Sequence, residues 1–235
     1  MSSILAIDTS THACSVALII DGVLLEDFRL APRKHNVLIL PMVEHIMNQA
    51  GVKLSQLDAV AFGRGPGSFT GLRIAAGVAQ GLAYGADLPV IPVSTLAALA
   101  LDGFKQTACT QWLAALDARM GEVYLGGYQI EQKSNQLVVT STYPERVIKP
   151  DRVENIDVSY QAIGSGWCYQ ELLCAKLPTK PEHIFIDREP RSACIAKLAE
   201  VALHKGDVVS AHEAIPVYLR DEISWEKQPL KIGKR

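Results

Sequence analysis

Apolar positions fall into short runs broken by turn residues, with two long stretches of helical character between them. Residues 4–7 are apolar and stop at Asp8-Thr9-Ser10-Thr11. Small and apolar side chains then alternate through Cys14, Val16, Leu18 and Ile20 to Asp21-Gly22. An Asp-Gly pair between two apolar runs is a two-residue hairpin signal, so residues 23–30 are predicted to return as the next strand of a three-strand meander. Residues 34–50 read as a helix closed by Gly51 at its C′ position, and residues 58–62 as a buried strand. A glycine-rich segment follows, Gly63-Arg64-Gly65-Pro66-Gly67-Ser68-Phe69-Thr70-Gly71. Beyond it, residues 72–84 read as helix and 89–93 as strand, and Ser94 is placed to cap a further helix through residue 100.

The second half begins the same pattern again. Leu113-Ala114-Ala115-Leu116-Asp117 repeats the apolar strand ending in Asp of Leu5-Ala6-Ile7-Asp8. Arg119-Met120-Gly121 is the matching turn, and residues 122–130 leave it with period-2 character. Residues 160–163 read as another strand, and 166–177 and 192–205 as helices. The repeated order predicts a duplicated α/β chain of two lobes, each a mixed sheet with helices, the second lobe reduced. The lobes are expected at 1–103 and 104–221, with a tail at 222–235. Their boundary is expected where polar residues and Gly103 separate two apolar stretches, near 102–110. The last helix of the second lobe is expected to be able to pack back on the first.

The bulk numbers narrow the class. The chain has 235 residues, is 49% hydrophobic and carries a formal charge of -2, which suits folded lobes with real cores and excludes a disordered chain. A protein that grips nucleic acid unaided shows a basic surplus; here the basic residues gather only as Lys227, Lys231, Lys234 and Arg235, a solvated tail on the plain reading. Five cysteines, an odd number without a C-x-x-C pair, fit a reducing compartment. No secretory leader is read at the N-terminus, and no apolar run nears the roughly 18 residues of a membrane helix, so a cytoplasmic protein is expected.

Two segments carry candidate chemistry. The strand–glycine turn–helix layout of 58–84 can aim backbone N–H groups at an anion, with Gly65, Gly67 and Ser68 as the contacts. Against this, the segment lacks the lysine of a P-loop, and Thr70 stands where G-x-G-x-x-G needs its third glycine. A tight connector that needs positive φ is the other reading. The second candidate is Asp8-Thr9-Ser10, a carboxylate and hydroxyls that could orient a Mg²⁺-bound phosphate through water, or could satisfy their own turn. No metal site is expected: none of the six histidines has a histidine four residues away, and His35 meets Ile39. No G-x-S-x-G elbow surrounds Ser68 or Ser165, so no catalytic set is predicted.

The two early helices carry a third signal. Val37-Leu38-Ile39-Leu40-Pro41-Met42-Val43 is apolar around the whole circumference, where a helix on a sheet needs one apolar stripe. The 72–84 helix is similar, with Gly77, Gly81 and Gly85 spaced by four. Each interior glycine costs about 1 kcal/mol against alanine, which close approach of another helix would offset. A partner face is therefore predicted at Leu38, Pro41, Met42, His45 and Ile46, and at Ile74, Gly77, Val78, Gly81 and Tyr84. The alternative is burial of both helices wholly within the chain.

These motifs resemble the TsaB (YeaZ) family: the opening Ile-Leu-Ala-Ile-Asp-Thr-Ser-Thr, the segment Gly-Arg-Gly-Pro-Gly-Ser-Phe-Thr-Gly-Leu-Arg-Ile, the turn Leu-Asp-Ala-Arg-Met-Gly-Glu-Val-Tyr, and Pro216-Val217-Tyr218-Leu219-Arg220. The resemblance spans nearly the whole chain. It implies an actin/Hsp70-like fold of the actin-like ATPase superfamily and a part in making threonylcarbamoyladenosine next to the anticodon of tRNA. It further implies TsaD and TsaE as partners, a homodimer when TsaD is absent, and tRNA contact only through the complex. In that system TsaD performs the transfer with a metal held by H-x-x-x-H, which this chain lacks. The implied role is a non-catalytic subunit that needs no cofactor. A weak ATPase with ATP or ADP and Mg²⁺ at a degenerate site is the alternative, and a metallopeptidase of the glycoprotease kind ranks below it.

Overall fold

The computed structural model describes residues 2–133, 136–154, 156 and 158–220. The expected tail, with its four basic residues, lies outside the described residues. The chain opens with strands β1 (Ile4–Asp8), β2 (Ala13–Ile20) and β3 (Val23–Leu30), an antiparallel meander. Asp21 and Gly22, at φ 50° and 79°, make its hairpin turn with the left-handed geometry that two-residue hairpins need. Helix α1 (His35–Ala50) ends at Gly51, whose φ of 69° closes it as the sequence suggests. Strand β4 (Ala59–Gly65) runs parallel to β1, and helix α2 (Phe69–Ala86) returns the chain to β5 (Val90–Ser94), parallel to β4.

Three elements run differently from the sequence pattern. Gly63, Arg64 and Gly65 still belong to β4, so the glycine-rich connection shrinks to Pro66, Gly67 and Ser68. The next helix, α3 (Thr95–Thr107), is capped by Ser94 as predicted but continues past residue 100 through the polar stretch expected to divide the lobes. The reason is local: Gly103 gives room to the Trp112 ring, which a Cβ there would meet at 2.6 Å, and Asp102 is buried with Arg188 at 3.7 Å. The predicted helix at 166–177 is a 3₁₀ turn (Ser165–Tyr169) followed by the short α4 (Gln170–Cys174).

The second half repeats the first strand for strand. Strands β6 (Gln111–Arg119), β7 (Glu122–Lys133) and β8 (Gln136–Ile148) form an antiparallel meander, and β9 (Gln161–Ile163) and β10 (Ile184–Phe185) add in parallel on its other side. The two sheets read β3-β2-β1-β4-β5 and β8-β7-β6-β9-β10, the same order with β6 in the place of β1. Helix α5 (Ser192–Lys205) completes the repeat. This is the two-lobed actin-like fold, and the second lobe is reduced on its outer face, where a 3₁₀ turn and the short α4 stand in place of α1 and α2.

The layers follow from the period-2 alternation of the strands. Leu5, Ile7, Val16, Leu18, Val60 and Phe62 face α1 and α2 on the outside of the first sheet. Ile4, Ala6, Ala17, Ile19 and Ala61 face inward onto α3 and α5, which pack on Trp112, Ala114 and Leu116 of the second sheet. The outer face of that sheet buries Leu113, Ala115 and Leu125 beneath Trp167 and Leu173. Strand β1, covered on both faces, is apolar without alternation until Asp8.

Candidate functional site

A cleft of about 840 Å³ lies between the lobes, walled by the turn after β1, the N-terminal end of α2, the β6–β7 hairpin and Ser165. Its position follows from the repeat: β1 ends at Asp8 and β6 carries Asp117 near its end, and the turn after β1 faces the end of β6 across it. Ser10, Gly67 and Ser68 line the cleft, as do Arg33, Asp117, Arg119, Tyr124, Glu189 and Arg220.

Asp8 does not reach this space. Its side chain is fully buried, and Oδ1 accepts from the Ser10 N–H (3.1 Å) and the Ser10 hydroxyl (2.8 Å). Oδ2 is packed against Gly63, where a Cβ would stand 1.9 Å away, and has no hydrogen-bond partner among the described residues. Burial pushes the carboxyl from its ordinary value of 3.8 up to about 7; the two Ser10 bonds oppose that rise and nearby Glu189 adds to it. Thr9 is also buried, its hydroxyl donating to the Gly71 carbonyl at 2.7 Å.

The glycines of the 63–71 segment answer to this turn. A Cβ at Gly67 would meet the Ser10 carbonyl oxygen at 2.5 Å, and one at Gly71 would meet the Thr9 carbonyl oxygen at 1.9 Å. The Ser68 N–H donates to the Ser10 carbonyl at 2.7 Å, and the Ser68 hydroxyl accepts from Gly71 N at 3.4 Å as the cap of α2. Gly65, at φ 110°, lies against the Val217 carbonyl. The structure thus brings Asp8, Thr9, Ser10, Gly67 and Ser68 together, with their polar atoms bonded mainly to one another. Gly65, the last residue of β4, packs on Val217 and Leu72 and does not line the cleft.

The far wall of the cleft was not singled out by residue, although the Asp8/Asp117 repeat pointed to it. Asp117 is part-exposed and pairs with Arg119 at 3.0 Å, while its N–H donates to Ser165 Oγ at 3.2 Å. Gly164 and Gly166 press on Ala115 of β6 much as Gly63 presses on Asp8. At His35, the ring Nε2 lies 3.1 Å from the Ala13 carbonyl, and Ile39 is in the core. Among the described residues no three His, Cys, Asp or Glu side chains group as a metal would need.

The predicted partner face divides. Met42 and Ile46 are buried in this chain's own core, a correction to the all-round reading of α1: the apolar circumference holds an inner stripe for the sheet and a separate outer one. The outer one carries Pro41 and His45, exposed, with Leu38 half-buried, beside Val37 and Leu40, which are 60% and 52% exposed. On α2, Gly77 and Gly81 are exposed with nothing within 4 Å of a built Cβ, Ile74 and Val78 are half-buried, and Tyr84 is 85% exposed.

No helix among the described residues is long and apolar enough to cross a membrane. Residues 28–225 match the family model described as TsaD: tRNA N6-adenosine threonylcarbamoyltransferase. The tRNA threonylcarbamoyladenosine biosynthesis protein TsaB of Escherichia coli (strain K12) is 41% identical over 97% of this chain and 99% of its own length. The protein of the same name from Haemophilus influenzae is 40% identical, covering 97% of both. The solved structure of YeaZ from Pseudomonas aeruginosa superposes with a TM-score of 0.84 at 42% identity, covering 93% of this chain and all of that one. The chain belongs to the TsaB (YeaZ) family of tRNA threonylcarbamoyladenosine biosynthesis proteins, within the actin-like ATPase superfamily.

Proposed function

We propose that the chain is a non-catalytic subunit that docks TsaD through the outer stripe of α1 and α2 and holds it in the arrangement that makes threonylcarbamoyladenosine on tRNA. The observation that carries this reading is the open, small-residue face of α2. Gly77, Gly81 and Gly85 leave open space beside an almost fully exposed Tyr84, and α1 adds exposed Val37 and Leu40. Exposed apolar side chains on two neighbouring helices mark a protein contact, and glycines let a second helix backbone approach closely. In this reading the chain works in the cytoplasm, joins TsaD and TsaE, pairs with a second copy through the same stripe when TsaD is absent, and meets tRNA only through the complex.

The cleft supports a subordinate role for nucleotide. Asp8 is sealed, and the backbone around Gly67 and Gly71 is occupied by the turn it packs on. In this reading the subunit needs no cofactor of its own, and neither ATPase nor metallopeptidase activity is assigned to it.

The test is reconstitution of tRNA modification from TsaD, TsaE and this chain, with Gly81→Arg beside the wild type. Because Gly81 faces open space, the variant should fold normally, yet lose TsaD in a pull-down, sediment as a monomer and fail to support modification. Normal TsaD binding and normal modification by a folded Gly81→Arg protein would defeat the proposal. Modification that proceeds without this chain would defeat it too.

A further inference from the structure

The last described segment joins the two lobes, and Arg220 at its end lines the cleft. Ala214 is buried in the core beneath α2, and its carbonyl accepts from Gln80 Nε2 at 3.1 Å. Three residues on, the Val217 N–H donates to the Arg64 carbonyl at 2.8 Å, and the Val217 carbonyl sits so close to Gly65 that a Cβ there would stand 2.8 Å away. Tyr218 then lies on the start of α2, its ring centroid 5.3 Å from that of Phe69, with Arg73 Nε donating to its hydroxyl at 3.1 Å. Two residues later the chain has crossed to the second lobe. Arg220 Nη2 donates to the Ala118 carbonyl at 3.2 Å and to the Glu122 carboxylate, both on the β6–β7 hairpin.

A second tie also starts from Arg64, but away from the cleft. Its Nη2 lies 3.2 Å from Glu145 Oε2 of β8, and the Glu145 Oε1 also accepts from Tyr128 at 2.7 Å and from the hydroxyl of Ser94. Glu145, Tyr128 and Ser94 are not among the residues that line the cleft.

We infer that residues 216–220 are a strap on the cleft side of the lobes, which meet through α3 and α5, with that layer and the Arg64–Glu145 pair as the hinge and Arg220 as the latch. The two ends of the strap are held unequally. On the first lobe it is fixed by a backbone bond, a close approach at Gly65 and stacked rings. On the second, among the described residues, it depends on the part-exposed guanidinium of Arg220. Unlatching at Arg220 leaves the strap on its own lobe and frees the β6–β7 hairpin to swing away about the hinge. Both walls of the cleft are then uncovered together.

Hydrogen–deuterium exchange on the full chain tests this, comparing wild type with Arg220→Ala, Arg220→Lys and Glu122→Gln. The expected result for Arg220→Ala and Glu122→Gln is faster exchange, by roughly tenfold, at both 117–123 and 66–71, with β2 unchanged and with partial restoration in Arg220→Lys. Faster exchange confined to 117–123 would overturn the inference, since Arg220 would then only fasten its own hairpin. No change at either wall would overturn it as well. So would a uniform rise across the chain in both Arg220→Ala and Glu122→Gln, which would make the contact part of global stability.

Discussion

A Cβ placed on Gly71 would stand 1.9 Å from the carbonyl oxygen of Thr9, closer than any real pair of such atoms can approach. The Thr9 hydroxyl meanwhile donates to the Gly71 carbonyl at 2.7 Å, so the two residues clasp each other from both sides. Gly71→Ala must therefore push α2 away from the turn after β1, and backbone cannot yield as a flexible side chain does. The expected cost is about 3 kcal/mol or more, read as a fall in the urea midpoint. An unchanged midpoint would show that the clasp is loose.

Asp8 sets a pH dependence. Its folded carboxyl ionises near 7 and its unfolded one near 3.8. Between those values the folded state holds the extra proton, so this group's contribution to stability falls as pH rises through the window and is level above it. Asp8→Asn removes the slope. The stability of the variant relative to wild type should climb between pH 4 and pH 8 by an amount on the order of 4 kcal/mol. Parallel pH–stability curves for the two proteins would show that the carboxyl is not strained by its burial.

The two stripes of α1 should separate in a pair of substitutions. Met42 is fully buried beneath the first sheet, and Met42→Ala should cost about 2–5 kcal/mol. Leu40, 52% exposed on the outer stripe, should lose less than about 0.5 kcal/mol on the same change. Its effect should appear instead as weaker self-association in sedimentation. Equal thermal shifts for the two variants would contradict the division of the helix.

Glu145 gathers Tyr128, Ser94 and Arg64 on one carboxylate. Glu145→Ala leaves the buried Tyr128 hydroxyl short of its closest acceptor and Arg64 short of its ion pair. Charge-assisted bonds of this kind are worth roughly 1.5–3 kcal/mol each before compensation. A drop of at least about 2 kcal/mol is expected, with Tyr128→Phe recovering part of it in the double variant. Strict additivity of the two changes would show that the residues do not act together.

The meander of β1–β3, the Gly51 helix end and the repeat were legible because each rests on local chemistry: an Asp-Gly turn, a left-handed glycine, an apolar strand ending in Asp. Strand β8 was missed although Val138, Val139, Thr140, Thr142 and Tyr143 are strand formers; Pro144 breaks the pattern, and it is tolerated because β8 is the edge strand of its sheet. Strand β10 has only two residues and no pattern to read. The extent of α3 was missed because Gly103 reads as a breaker until the Trp112 ring is seen against it. At the candidate site the sequence named residues of which Ser10, Gly67 and Ser68 line the cleft, but the choice between anion cradle and tight connector depends on what each glycine touches, and that partner is distant in sequence. The same holds for α1, where a list of apolar positions cannot say which side meets the sheet.

Helix α5 lies near the end of the chain, yet it covers the inner face of the sheet that the chain makes first. Until residues 192–205 leave the ribosome, Ile4, Ala6, Ala17, Ile19 and Ala61 lack part of their cover. At usual synthesis rates the wait after α3 is complete lasts roughly 5–20 s. During that time the nascent amino-terminal half displays an oily, strand-rich surface of the sort that chaperones hold. A polypeptide ending near residue 107 would keep that surface indefinitely, so the duplicated halves, for all their likeness, cannot be cut into two self-sufficient proteins.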